Sequence, residues 1–271
     1  MNGEANQTLL INYMNEILQF RGLLWLVIAF APLILLQRLL HRSIQIIYFI
    51  LTRRADLAMV LFSLTFFPGV LLHESSHFLA ARLLGVRTGR FSILPRPIAN
   101  GRLQLGYVEM EAADPLRETL IGAAPLLSGM IFVAFAGLNR LNMLQAWSQV
   151  QVGGPAAGIP AITSLVSQPD FWLWFYLIFT VSSTMLPSAS DRRAWQPMLL
   201  VGGGLLGLSL LAGAGPWLLD NLAPWLDRLF GAAALVFFIS DFAHLLFLVP
   251  VILIQKLLQF LLTPGLARDR K

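Results

Sequence analysis

Long apolar runs, separated by short polar or basic stretches, dominate the chain. Gly22 to Leu40 supplies about the twenty apolar residues that a helix needs to cross a bilayer, with Pro32 inside it and Arg38, His41 and Arg42 closing it. Ser43 to Thr52 is apolar but too short to cross, and Arg53-Arg54 follow, so it reads as a continuation of that helix or as an interfacial piece. Ala55 to Gly85 is the second long run, and Pro68-Gly69 predicts a kink within it. From Val86 to Arg117 the texture changes: Arg87, Arg90, Arg96, Arg102 and Arg117 stand among short alternating segments such as Phe91-Ser92-Ile93-Leu94 and Leu103-Gln104-Leu105-Gly106-Tyr107-Val108. With Asn100-Gly101 between them, these segments predict a small β-hairpin at the cytoplasmic membrane face.

Glu118 to Leu138 is a third long run, and its small residues, Gly122-Ala123-Ala124-Pro125 and Ser128-Gly129, favour close helix packing. Asn139 to Asp170 contains Gly153-Gly154-Pro155, Gly158 and Pro160 and almost no charge, which predicts a loop or surface-lying connection. Phe171 to Leu186 is an aromatic-rich span ending at Pro187; the polar Ser188 to Arg193 follows, then an apolar run from Trp195 to Leu211. Gly231 to Leu262 is the last long run, with Asp241 and His244 three apart on one face. The fold class expected is an all-α polytopic membrane protein of about six transmembrane helices with a small membrane-associated β-hairpin after the second run. Three regions are expected: an N-terminal span and interfacial segment over 1–54, a core over 55–214, and a C-terminal span with a basic tail over 215–271.

Composition agrees with this pattern. Hydrophobic residues make up 57 % of the chain, charged residues 12 %, and the mean hydropathy is +0.71, values that exclude a water-soluble surface. The net charge of +5 does not point to nucleic acid, because the 19 Lys and Arg gather at the ends of apolar runs, as membrane anchors do. The partner implied is the lipid bilayer, in a cell membrane, with the hairpin, the Asp191 loop and the C-terminus on the cytoplasmic side; Arg53-Arg54 are the misfit to that scheme. There are no cysteines, which excludes disulfides and thiolate ligands and leaves His, Asp and Glu to bind any metal. Met1 to Gln19 is polar and mildly acidic with no basic stretch before an apolar one, so no cleavable signal peptide is expected.

The candidate chemistry lies in His73-Glu74-Ser75-Ser76-His77. Residues four apart share a helix face, so His73 and His77 can grip one ion. In the H-E-x-x-H pattern the imidazoles bind zinc, and the carboxylate, here Glu74, takes a proton from the attacking water. Charge at membrane depth costs about 2.5–3.5 kcal/mol on insertion scales and is usually retained for function, which weighs against a merely structural hydrogen-bonded cluster. A catalytic zinc needs a third protein ligand. Asp191, at a helix break just past Pro187, is the leading candidate, although it could instead pair with Arg192 or Arg193. Asp241 with His244 is the rival.

Four stretches carry a family likeness: Leu72-His73-Glu74-Ser75-Ser76-His77-Phe78-Leu79-Ala80-Ala81-Arg82-Leu83-Leu84-Gly85-Val86, then Phe91-Ser92-Ile93, then Gly122-Ala123-Ala124-Pro125-Leu126, then Thr184-Met185-Leu186-Pro187-Ser188-Ala189-Ser190-Asp191. In this order the sequence resembles the site-2 protease family of intramembrane zinc metalloproteases. The resemblance implies zinc held by His73, His77 and Asp191, Glu74 as the base, and hydrolysis of peptide bonds in membrane-spanning or membrane-adjacent protein substrates. Where the family has an Asn this chain has Thr184, its Asp comes one residue earlier after Pro187, and Arg192 replaces the Gly that follows. Those differences leave open a second reading, an inactive membrane homologue that serves as a binding or scaffold protein. A transporter is disfavoured because no pair of interrupted helices recurs in two similar halves.

Overall fold

The computed structural model describes residues 21–93, 96–98 and 102–262. The N-terminal segment, the Asn100-Gly101 turn and the tail Arg268 to Lys271 lie outside the described residues. The first helix, α1 (Arg21–Thr52), runs unbroken for 32 residues, so Ser43 to Thr52 continues it and forms no separate interfacial segment. Its buried residues Leu33, Leu40, Ser43, Ile44 and Ile47 recur at helical spacing, while Arg38 and Arg42 are exposed on the other side.

α2 (Ala55–Thr65) and α3 (Phe67–Leu83) meet at 72°. The break falls at Phe66, not at the expected Pro68-Gly69. Pro68 lies in the first turn of α3, where a helix has no use for the missing N–H, so it starts α3 and does not kink it. Phe66 is fully buried and packs on Phe62 and Phe179. α3 stops at Gly85, whose φ of 71° suits glycine: Val86 N–H donates to the Ala81 carbonyl at 2.8 Å and Gly85 N–H to that of Arg82 at 3.2 Å.

The hairpin follows at once. β1 (Thr88–Ser92) pairs antiparallel with β4 (Tyr107–Met110), placing Phe91 opposite Val108, and β2 (Arg96–Ile98) pairs with β3 (Arg102–Gln104) further along the arm. Phe91 meets the Phe78 ring of α3 edge-on at 5.9 Å, which ties the hairpin to the helix that carries the candidate residues.

α4 (Pro115–Phe135) opens on Asp114, whose carboxylate accepts from the Leu116 and Arg117 N–H groups, and ends in a wide π turn, Ala136–Arg140. The expected loop from Asn139 to Asp170 is instead mostly helical: α5 (Met143–Gly153), a short 3₁₀ turn Gly154–Ala157, and α6 (Gly158–Val166). Its Gly-Gly-Pro breaks only the middle of the segment, and Ala146 before that break and Ala161 and Leu165 after it are buried in the main hydrophobic core. α7 (Phe171–Thr184) ends before Pro187; α8 (Trp195–Leu211) and α9 (Gly215–Asn221) are bent at 115°.

The last helix, α10 (Ala223–Leu262), has 40 residues and begins before the expected Gly231. It packs along α1, fastened near both ends: Gly22 N–H donates to Asp227 Oδ1 at 2.5 Å and Arg53 Nη2 to the Leu262 carbonyl at 2.8 Å. The molecule is thus mostly helical with one small antiparallel β arm. Among the described residues, three helical stretches, 21–52, 115–140 and 223–262, are long and apolar enough to cross a membrane, or up to five if each bent pair counts as one span.

Candidate metal centre

His73, Glu74 and His77 lie on α3, between α4 and α7, and the close approach of these three helices depends on glycines. A Cβ at Gly69 would overlap the Thr180 carbonyl of α7, and one at Gly122 would overlap the Asp191 carbonyl oxygen. Ser76 adds a hydroxyl contact to Ser128 of α4 at 2.5 Å.

Each imidazole is oriented through Nδ1. His73 Nδ1–H donates to the Thr184 carbonyl at 2.7 Å, which is free because α7 ends there, short of Pro187. His77 Nδ1–H donates to the Ile121 carbonyl at 2.9 Å. That acceptor is available for a specific reason: the helical partner of Ile121 would be the N–H of residue 125, and residue 125 is proline. A carbonyl can only accept, so in the neutral rings both Nε2 atoms carry lone pairs. Yet these two atoms face each other at 3.2 Å.

Asp191 completes the group. Its Oδ1 is 3.3 Å from His77 Nε2 and its Oδ2 is 3.8 Å from His73 Nε2. The carboxylate is steadied from its own loop, with Oδ2 accepting the Ser188 N–H at 2.7 Å. Burial pushes the Asp191 carboxyl up, but a proton held between Asp191 and His77 Nε2, together with the hydrogen bonds from Ser188, outweighs burial and holds it down at about 2. Two lone pairs and a carboxylate converging on one point would repel one another, and a cation or shared proton at that point removes the conflict. Ligands about 2.0–2.1 Å from a tetrahedral zinc are separated by roughly 3.3 Å, close to the two shortest separations observed. The one-sided Nδ1 bonds are also the outer arrangement that metal-binding histidines use.

The structure therefore brings His73, His77 and Asp191 together, with candidate ligand atoms all within 4.8 Å; among the described residues no other group of three His, Cys, Asp or Glu does so. The rival pair is not part of that group. His244 is fully buried, with Nδ1–H donating to the Ser240 carbonyl at 2.8 Å and Nε2 2.9 Å from the Ser183 hydroxyl, and Asp241 Oδ1 is buried without a partner among the described residues.

Glu74 points into the same cavity, of about 860 Å³, that is lined by His73, His77 and Asp191. It is 8 % exposed, and Gly106 of the hairpin lies directly against it: a Cβ there would stand 2.7 Å from Glu74 Cγ. Tyr107, Val108 and Met110 of β4 line the cavity as well. Sequence reading missed His41, which also lines it; placed between Arg38 and Arg42, it reads as part of a basic span end. The available signal was scarcity, since the chain has only 4 histidines.

No family model matches the chain, and neither a curated protein nor a solved structure does.

Proposed function

We propose that this chain is an intramembrane zinc metalloprotease that hydrolyses peptide bonds of membrane-spanning or membrane-adjacent proteins. The observation that carries the reading is the pair of imidazoles whose Nδ1 atoms are both spent on carbonyls while both Nε2 lone pairs face Asp191 and each other. A bound zinc ion would supply Lewis acidity and acidify a water molecule. Glu74, next along the helix and lining the same cavity, would then take the proton of the attacking water and hand one to the departing amine. The low-lying carboxyl of Asp191 keeps it anionic, as a ligand must be.

A helical substrate hides its carbonyls in its own hydrogen bonds and must be unwound before attack. β4, whose residues line the cavity, offers backbone groups to which an extended segment could add as a strand. On this reading the chain crosses a cell membrane about six times: three straight helices, two bent pairs, and the shorter α7, which carries the Thr184 carbonyl to His73.

The test is cleavage of a single-span substrate by the purified protein in vesicles. Wild type cleaves, zinc removal stops cleavage, and Glu74→Gln retains zinc but is at least about a thousandfold slower, since it loses the general base. A protein that keeps its zinc, cleaves nothing and still retains membrane partners would be a scaffold and would refute the proposal.

A further inference from the structure

All four histidines of the chain belong to one polar region. His73, His77 and His41 line the cavity, and His244 is bonded to Ser183, which lines it too. His41 comes from α1 and rests edge-on against Phe62 and Phe66, ring centroids 5.4 and 4.7 Å away. One turn earlier, the Gln37 side-chain amide donates to the Ser183 carbonyl, which locks this face of α1 onto the end of α7.

What sets His41 apart from the other three is that its Nε2 is buried with no hydrogen-bond partner among the described residues. Its polar neighbours are already committed. Because His244 Nδ1–H donates to the Ser240 carbonyl, His244 Nε2 is an acceptor and takes the Ser183 hydroxyl hydrogen. Thr184 turns its hydroxyl hydrogen back to the Thr180 and Val181 carbonyls. A buried polar atom without a partner is costly, and a phenylalanine would suit the two flanking rings better. Nε2 is covered as it stands, but His41 lines the cavity, and a turn of the ring would present this unused hydrogen-bonding capacity to a ligand that brings the missing partner.

The chemistry of that ligand follows from the setting. A peptide helix unwound at membrane depth exposes N–H and C=O groups that lipid cannot satisfy, so the cavity that receives it must supply polar partners. We propose that His41 is a substrate-binding residue whose imidazole hydrogen-bonds the backbone of the unwound peptide held in the cavity. The nature of the ligand rests on the proteolytic reading above; the polar site itself does not.

The test uses the full chain in phosphatidylcholine–phosphatidylglycerol vesicles and, as probe, a fluorophore-labelled single-span peptide of about 25 residues. Binding is titrated to the Glu74→Gln protein and to the same protein carrying His41→Phe, His41→Leu or His41→Gln, with zinc content and unfolding temperature measured on each. The apolar variants that keep both weaken binding about tenfold, and His41→Gln stays within about threefold of the parent. Undiminished binding by the apolar variants, or a His41→Gln as weak as they are, overturns the proposal. Wild type that cleaves, with His41→Phe at unchanged kcat/KM, also overturns it and leaves the proteolytic reading standing. His41-dependent binding by a wild type that never cleaves does the reverse.

Discussion

Gly122→Ala puts the construction of the site to a steric test. A methyl group at this position overlaps the Asp191 carbonyl oxygen, and ordinary van der Waals contact begins only at 3.4 Å, so α4 and the Asp191 loop must part by roughly an ångström. Asp191 Oδ1 now stands 3.3 Å from His77 Nε2, close to the separation of two ligands on one zinc. A shift of that size takes the carboxylate out of reach or holds it at a poor angle. Losses of this kind typically cost 10- to 100-fold in metal affinity, or about 1.4–2.8 kcal/mol. Overpacking itself costs about 1–3 kcal/mol, which a folded domain of 5–15 kcal/mol survives. The assay is competition for zinc against a chromophoric chelator, beside Gly202→Ala, where a Cβ meets nothing within 4 Å. Wild-type affinity in Gly122→Ala, or an equal loss in Gly202→Ala, refutes the reasoning.

Three further outcomes follow from the same geometry. Gly106→Ala drives a methyl against Glu74 Cγ and should cut kcat about tenfold or more while zinc affinity stays within about twofold; equal loss of both would show that the hairpin holds the metal and not the base. Pro125→Ala supplies a helical N–H to the Ile121 carbonyl and should weaken zinc binding about tenfold by competing with His77, and unchanged affinity would show that this carbonyl serves both donors equally. The Asp191 carboxyl, lowered from an ordinary 3.8 to about 2, contributes its stabilisation in full above about pH 4 and loses it as pH falls toward 2, so zinc release on acidification should follow imidazole protonation, with a midpoint above about pH 4. A release midpoint near pH 2–3 in a chelator-dye titration would contradict this.

The parts of the site that were legible in the sequence are those set by local spacing. His73 and His77 meet because four residues make one helical turn, Glu74 sits beside them for the same reason, and the alternation of Phe91 to Val108 marked the hairpin strands. Asp191 was legible as a polar residue at a helix break, but its approach to the imidazoles depends on Gly122 and on a loop held by Ser188, which sequence distance hides. Where local signals misled, tertiary packing decided. The charge-poor 139–170 segment looked like a loop from its glycines and prolines, yet Ala146, Ala161 and Leu165 find buried places that keep it mostly helical. Pro68 looked like a kink and proved to be a helix start, with the bend set by buried Phe66. His41 was masked by Arg38 and Arg42, which face outward while the histidine turns in.

The proposed chemistry stands or falls on whether His73, His77 and Asp191 hold one cation together. X-ray absorption at the zinc edge, on protein purified in detergent with its metal content measured, tests it most directly. The expected result is about one zinc per chain, bound by two imidazoles and oxygen at about 2.0–2.1 Å, and lost from both His77→Ala and Asp191→Ala but retained by Glu74→Gln. Protein that takes up no zinc, or zinc that stays with an unchanged spectrum when either His77 or Asp191 is removed, would contradict it.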